Sequence, residues 1–337
     1  MAKKLVRFVL SALLLCVALP GRSLGATADL SSFFAKKDVI IAVTDSGFGG
    51  LSIMAEAASR MKTAGLFRSV KFVFFNALFA ADSGYNSLRS REQKIAVFSR
   101  ALEGLEKRFH PDLILVGCNT LSVITAETPF AKTAKIPILD IVDSGVDLIA
   151  KGLAGDPRTT AVIFGTQTTI FEGEHARRLA GRGFGSERIV VQACPELADY
   201  IENGPGSDDV ALLIESFVDD ALSRVPDKTA PLLVSLNCTH YGYALPLWDK
   251  ALRARGVGSF VILNPNGRML DPLFPPKAEK KFASTSVQAS VVSMVGIDKK
   301  KIEALGEWLK TVSPEVASAL ARYRLVPDLF AWKDLVK

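Results

Sequence analysis

The chain has 337 residues, of which 49% are hydrophobic and 23% charged. That composition supplies apolar material for about two packed domains and excludes a disordered or low-complexity protein. The formal charge of +6 is concentrated at the start, where Lys3, Lys4 and Arg7 precede an apolar run over residues 8–19.

Small residues follow that run, including Ala26-Thr27-Ala28, so residues 1–28 are expected to be a secretory signal peptide. The run is too short to cross a bilayer comfortably, so cleavage should leave no stable membrane insertion. Cys16 falls inside it and belongs to the leader. Without Lys3, Lys4, Arg7 and Arg22 the formal charge drops to about +2. No basic run with interleaved aromatics then remains to suggest nucleic acid. Export, to the periplasm in a gram-negative cell, is the expected location. Three cysteines remain, Cys118, Cys194 and Cys238, an odd count that makes a poor disulfide framework and leaves a free thiol.

From residue 38 onward, short apolar runs alternate with longer helical periods. Residues 39–43 predict a buried strand that ends in Asp45-Ser46-Gly47-Phe48-Gly49-Gly50, and residues 51–61 a helix. Residues 70–75 form the second expected strand. Ser90 opens a helix with capping-box spacing to Gln93, and its apolar face runs through Ile95, Phe98, Leu102, Leu105 and Phe109. Residues 113–116 are a third strand, ending in Gly117-Cys118-Asn119-Thr120, and residues 136–142 a fourth.

The second half repeats the plan. A strand over 161–164 ends in Gly165-Thr166, and another covers 189–192. A helix opens at Pro195 and closes at Gly204, and a second spans 210–222. Residues 232–236 are a strand ending in Asn237-Cys238-Thr239-His240, and 260–263 the last expected strand. A Pro/Lys-rich connector over 274–281 leads to two further helices, 299–309 and 314–325, the first with a solvated Glu/Lys-rich face. The Gly-rich stretch 181–186 is a loop.

Cys118 and Cys238 are 120 residues apart, and the same offset carries Asp45 to Gly165. The expectation is therefore an α/β protein of two similar, pseudo-duplicated parallel-sheet domains. The first comprises residues 38–147 plus 266–337 and the second residues 148–265. Ligands of open parallel sheets bind beyond the carboxyl ends of the strands, which places both cysteines in the cleft between the domains.

Two thiols facing one cleft suit one reaction above others. A stereocentre bearing hydrogen inverts when a base removes the proton from one face and an acid returns it from the other. A thiol ionises near working pH, and more readily beside positive charge, so a cysteine pair can serve both roles. The developing carbanion then needs fixed donors in a water-poor site.

The motifs add a resemblance. Asp45-Ser46-Gly47-Phe48-Gly49-Gly50-Leu51 is similar to the D-S-G-x-G-G-L signature of glutamate racemases, and Cys118-Asn119-Thr120-Leu121-Ser122 to their C-N-T-x-S. Gly165-Thr166 with Thr169 resembles G-T-x-x-T, Cys194-Pro195 with Glu202-Asn203-Gly204 resembles C-P…E-x-G, and Cys238-Thr239-His240-Tyr241 resembles C-T-H-Y. Five motifs in register over residues 39–241 resemble the aspartate/glutamate racemase family. The resemblance implies that Cys118 deprotonates the D-enantiomer and Cys238 the L-enantiomer, with Asp45, Glu202 and His240 assisting the thiols. It implies substrate binding by Ser46, Asn119, Thr120, Thr166 and Thr239, and by Ser83 and Gly84, which stand where the family has P-Y-G. It also implies a small amino-acid substrate, no cofactor, a homodimeric habit and a D-amino acid destined for peptidoglycan, although cell-wall precursors are made in the cytoplasm.

Departures fall around the substrate. The P-Y-G segment reads Asp82-Ser83-Gly84, with Tyr85 one place on, and the family's E-P-G reads Asp143-Ser144-Gly145. Phe48 is bulkier than the usual Val or Ile, and His175 occupies a family tyrosine position near the pocket.

Ordinary roles compete with these. Cys194 reads as a buried small hydrophobe, and His110 as a surface turn residue. Asp45 could serve only as a turn cap, and a Cys118–Cys238 disulfide would abolish racemisation. Cys238 and His240 are two metal ligands at an unusual spacing, short of the three or four that zinc needs, so no metal is expected. Gly47, Gly49 and Gly50 lack dinucleotide spacing and a Walker lysine. The expected activity is racemisation of an acidic amino acid, glutamate first. The alternatives are aspartate or hydantoin racemisation, maleate isomerisation, or a non-catalytic periplasmic ligand-binding protein.

Overall fold

The computed structural model describes residues 29–336, so the expected signal peptide lies outside the described residues. All strand pairings are parallel and fall into two sheets. In the first lobe, β1 (Asp38–Asp45), β2 (Ser69–Asn76), β3 (Leu113–Val116) and β4 (Ile138–Asp140) are arranged β2-β1-β3-β4. In the second, β5 (Thr160–Gly165), β6 (Ile189–Ala193), β7 (Leu232–Asn237) and β8 (Phe260–Leu263) are arranged β6-β5-β7-β8. The order second-first-third-fourth is the same in both. Cys118 follows the third strand of one lobe and Cys238 the third strand of the other, which is the topological content of the shared sequence offset. Parallel strands covered on both faces must be apolar on both faces; residues 41–43 of β1 and all of β3 are buried accordingly.

Two strands complete the first sheet and were not expected. β9 (Ser286–Ser293) pairs with β2 along its length, and β10 (Arg324–Leu325) pairs with β9. The second addition shortens the last expected helix, which runs Pro314–Ala321 and gives way to β10. A third correction concerns β4. It stops at Asp140, whose side chain accepts the Val142 backbone N–H at 3.0 Å and caps the helix Ile141–Gly155, so Ile141 and Val142 face the core from a helix. Half of the capping box at Ser90 is present: Ser90 Oγ accepts the Gln93 N–H at 3.2 Å, while the Gln93 side chain reaches one residue past the cap and accepts the Arg89 N–H at 3.1 Å. His110 ends the same helix as an exposed residue in the left-handed region, with φ 46°.

The lobes share cores. One apolar cluster joins Leu51, Phe72 and Phe74 of the first lobe to Leu236, Tyr241 and Trp248 of the second. The helix Leu51–Ala64 packs on the 3-10 segment Thr239–Ala244, which continues directly from Cys238. No helix among the described residues is long and apolar enough to cross a membrane.

Candidate active site

A cavity of about 630 Å³ opens at the carboxyl ends of the strands, between the lobes. Asp45, Ser46, Cys118, Asn119, Thr120, Thr166, Glu202, Cys238, Thr239 and His240 all line it, as do Ser83 and Gly84. They come from six separate stretches of chain: four lie at or directly after the end of a strand, Ser83-Gly84 lies in the loop after β2, and Glu202 lies near the end of the helix Leu197–Asn203 that follows β6. Cys118, Cys194 and Cys238 are all free thiols. Cys194 is buried, does not line the cavity, and has its thiol pushed up by that burial.

The two cavity sulfurs have distinct settings. Cys118 Sγ is 3.2 Å from Ser46 Oγ. Burial, and next the negative charge of Asp45, push the Cys118 thiol well up, so this sulfur keeps its proton. Asp45 itself receives the Gly50 N–H at 2.7 Å and the Thr239 hydroxyl at 2.8 Å, the latter a bond between lobes.

Cys238 Sγ instead lies 3.5 Å from His240 Nδ1, and His240 Nε2 is 2.7 Å from Glu202 Oε1. Burial opposes a charge on His240, but the bonds to Cys238 and Glu202 outweigh it and hold the imidazole well above its usual pKa. Burial likewise opposes ionisation of Glu202; His240 and Lys301 outweigh it and bring the carboxyl down to about 2. One side of the cavity therefore carries a protonated thiol, and the other a sulfur beside an imidazolium. An asymmetry of this kind suits proton transfer at a carbon.

The motif glycines permit this closeness. A Cβ on Gly49 would stand 2.2 Å from Thr239 Oγ1 and 2.7 Å from His240 Nδ1, and one on Gly47 2.8 Å from Glu202 Oε1. Phe48, between them, donates its N–H to Glu202 Oε1 at 2.9 Å.

Two lining residues keep polar atoms without partners among the described residues. Asn119 is 2% exposed with neither amide atom bonded, and the buried Tyr85 hydroxyl is likewise unpaired. Unpaired groups of this kind in a cavity wall are open to a polar partner, water or ligand. Tyr85 thus fronts the cavity beside Asp82-Ser83-Gly84, one place after Gly84 and two after the position of the family's tyrosine.

Two expectations need correction. His175 is buried, 3% exposed, and does not line the cavity; it packs beside Gly145, and burial together with Arg178 lowers its pKa to about 4. Lys301, on the helix Lys299–Val312 expected to be a solvated face, reaches the cavity and binds Glu202 Oε2 at 2.8 Å. Nothing local to the sequence signals that contact. Glu196 and Asp199 also line the cavity and were not anticipated. No cluster of three or more metal-ligating side chains exists among the described residues.

Among known proteins, a glutamate racemase from Syntrophus aciditrophicus is 27% identical over 208 residues, covering 60% of this chain and 67% of that one. One from Nitratiruptor is 24% identical over 253 residues, covering 74% and 89%. The fold matches the crystal structure of a glutamate racemase from Bacillus anthracis with a TM-score of 0.63 at 18% identity, over 88% of this chain and 100% of that one. A Francisella tularensis glutamate racemase, solved with D-glutamate, matches at 0.61 and 18%, over 88% and 98%. No protein-family model matches the chain. The paired α/β lobes, the motifs and these relatives define an amino-acid racemase, an isomerase. The chain is similar in sequence to glutamate racemases of the aspartate/glutamate racemase family.

Proposed function

We propose that this protein racemises glutamate by two-base proton transfer between Cys118 and Cys238, with no cofactor. The observation that carries the proposal is the pair of buried free thiols lining one cavity from the strand ends of two lobes, one kept protonated and the other facing an imidazolium.

In the L-to-D direction the Cys238 thiolate takes the Cα proton, forming S–H as the C–H bond breaks. Cys118 S–H then delivers its proton to the opposite face of the planar carbanion and is left as thiolate. The reverse direction exchanges the roles. His240, held by Glu202, stabilises the Cys238 thiolate, and Ser46 is in contact with the Cys118 sulfur. Asn119, Thr120, Thr166 and Thr239, with Ser83 and Gly84, form the wall that receives the ammonium and carboxylates. The acidic Asp82 on the cavity lining, where the family has P-Y-G, opposes a side-chain carboxylate and supports a second reading in which the substrate is another molecule of the superfamily's range. We further propose that residues 1–28 direct export, which separates the activity from cytoplasmic cell-wall synthesis and suits recovery of external D-amino acids.

Incubation with single enantiomers of glutamate, aspartate and a small amino-acid panel in deuterated water provides the test. Inversion with deuterium incorporated at Cα is expected for the true substrate. Cys118→Ala and Cys238→Ala should each lose inversion by at least about 10³-fold, in keeping with removal of a positioned acid or base. An unaffected rate in either variant refutes the two-base assignment, and tight binding with no exchange refutes the racemase reading for that ligand.

A further inference from the structure

Glu202 is a buried carboxylate whose two oxygens are used differently. Oε1 receives the Phe48 N–H and faces His240 Nε2. Oε2 is bound by Lys301 Nζ at 2.8 Å. Glu202 sits on the helix Leu197–Asn203 of the second lobe, Phe48 belongs to the first, and the helix bearing Lys301 packs on both Leu197–Asn203 and the first-lobe helix Leu51–Ala64. A carboxylate gripped at one oxygen only is free to rotate about its last bond, and a buried one without a counter-charge tends to take up a proton.

Lys301 removes both freedoms. It is the only lysine or arginine among the described residues lining the cavity, against the carboxylates of Asp45, Asp82, Glu196, Asp199 and Glu202. The groups that bear on this chain of contacts are Asp199 and Asp298 on the acidic side, with Tyr243 and Cys238. None of these supplies a second cation.

We propose that Lys301 is a positioning residue for the Cys238 half of the site: it fixes Glu202 so that the opposite oxygen holds the His240 imidazolium against the Cys238 sulfur. The relay reads Lys301, Glu202, His240, Cys238, and it joins the lobes at the point where the proton must move. Lys301 need not touch the substrate. Its positive charge favours the thiolate both directly and through the order it imposes on Glu202 and His240.

The proposal rests on the racemase reading for its importance but is tested without turnover. Iodoacetamide alkylation of the three cysteines in the full chain, mapped by mass spectrometry at pH 7, reads sulfur reactivity directly. In Lys301→Met, and in Lys301→Gln, which keeps a hydrogen-bond donor and loses only the charge, the Cys238 rate should fall about three- to tenfold relative to wild type. The Cys118 rate should stay within about twofold, and Lys301→Arg should restore the Cys238 rate. In the racemase assay the acid limb of kcat/KM should move to higher pH in the Met and Gln variants, because loss of a nearby cation disfavours every anion in the relay. An unchanged Cys238 rate in a folded Lys301→Gln protein overturns the proposal. So does an equal slowing of Cys118, which would mark a general change in access. If wild type shows no racemisation yet Cys238 responds as stated, the functional reading fails and this inference stands.

Discussion

Asn119 shows how far a single side chain can reveal that a site is built for a ligand. Its amide is buried and bonded to nothing among the described residues, a state that costs about 1–3 kcal/mol per unmet group. A substrate carboxylate or ammonium would recover that cost. Asn119→Ala should therefore stabilise the unliganded protein, raising Tm by about 2–4 °C per kcal/mol, while raising KM for the substrate at least tenfold. Thermal unfolding with and without substrate, alongside steady-state kinetics, checks both halves. A lower Tm with an unchanged KM would show that Asn119 is structural. Cys118 and Cys238 make the same point from the opposite direction. Their local sequence announces a pair of thiols at strand ends, but only the surroundings distinguish them: Asp45 and burial beside one, His240 beside the other.

At the level of elements, Asp140 joins β4 to the helix Ile141–Gly155 and is under strain of an electrostatic kind. Burial, then the neighbouring Asp143, push its carboxyl up to about 6, against the pull of Arg178. A raised acid binds its proton more tightly in the folded state, so its stabilising effect is complete below the unfolded value of about 3.9 and is lost as pH rises through about 6. Asn caps helices as well as Asp does. Asp140→Asn should accordingly gain about 1–3 kcal/mol at pH 7.5, and the gain should vanish by about pH 4; urea titrations at the two pH values decide it, and a gain that ignores pH would disprove the electrostatic origin. The same residue explains one misplaced boundary. Apolar runs alone extend the strand to residue 142, because Ile141 and Val142 are buried in either conformation and only the cap tells them apart. β9 escaped for a related reason. Its Ser290 and Ser293 look unlike core, yet Ser290 Oγ donates to the Phe72 carbonyl at 3.3 Å and Ser293 Oγ to the Val295 carbonyl at 2.7 Å, so their polar atoms are met inside the fold. The two-lobed plan and the cysteine stretches were legible because each lies within a few residues of an apolar strand. Lys301 was not, since 99 residues separate it from Glu202 and tertiary packing alone joins them.

Across the whole molecule, the cavity exists because the lobes are joined by more than their linkers. Thr239 donates to Asp45, Phe48 to Glu202, and the Tyr243 hydroxyl to the Phe48 carbonyl at 3.2 Å, each bond crossing from one lobe to the other. Lys301 adds an ion pair across the same seam, and beneath it runs an apolar cluster to which both sheets contribute. Separate domains linked by a polar hinge would melt separately. Lobes that share buried side chains cannot lose one partner without exposing the other's core, so the protein of residues 29–336 should unfold in one calorimetric transition whose van't Hoff and calorimetric enthalpies agree. Substrate held in the shared cavity should shift that single transition upward as a unit, by about 2.7 kcal/mol at a hundredfold excess over Kd. Two resolved transitions, with only the later or the earlier moved by ligand, would show that the lobes fold independently and that the cavity is assembled from one of them.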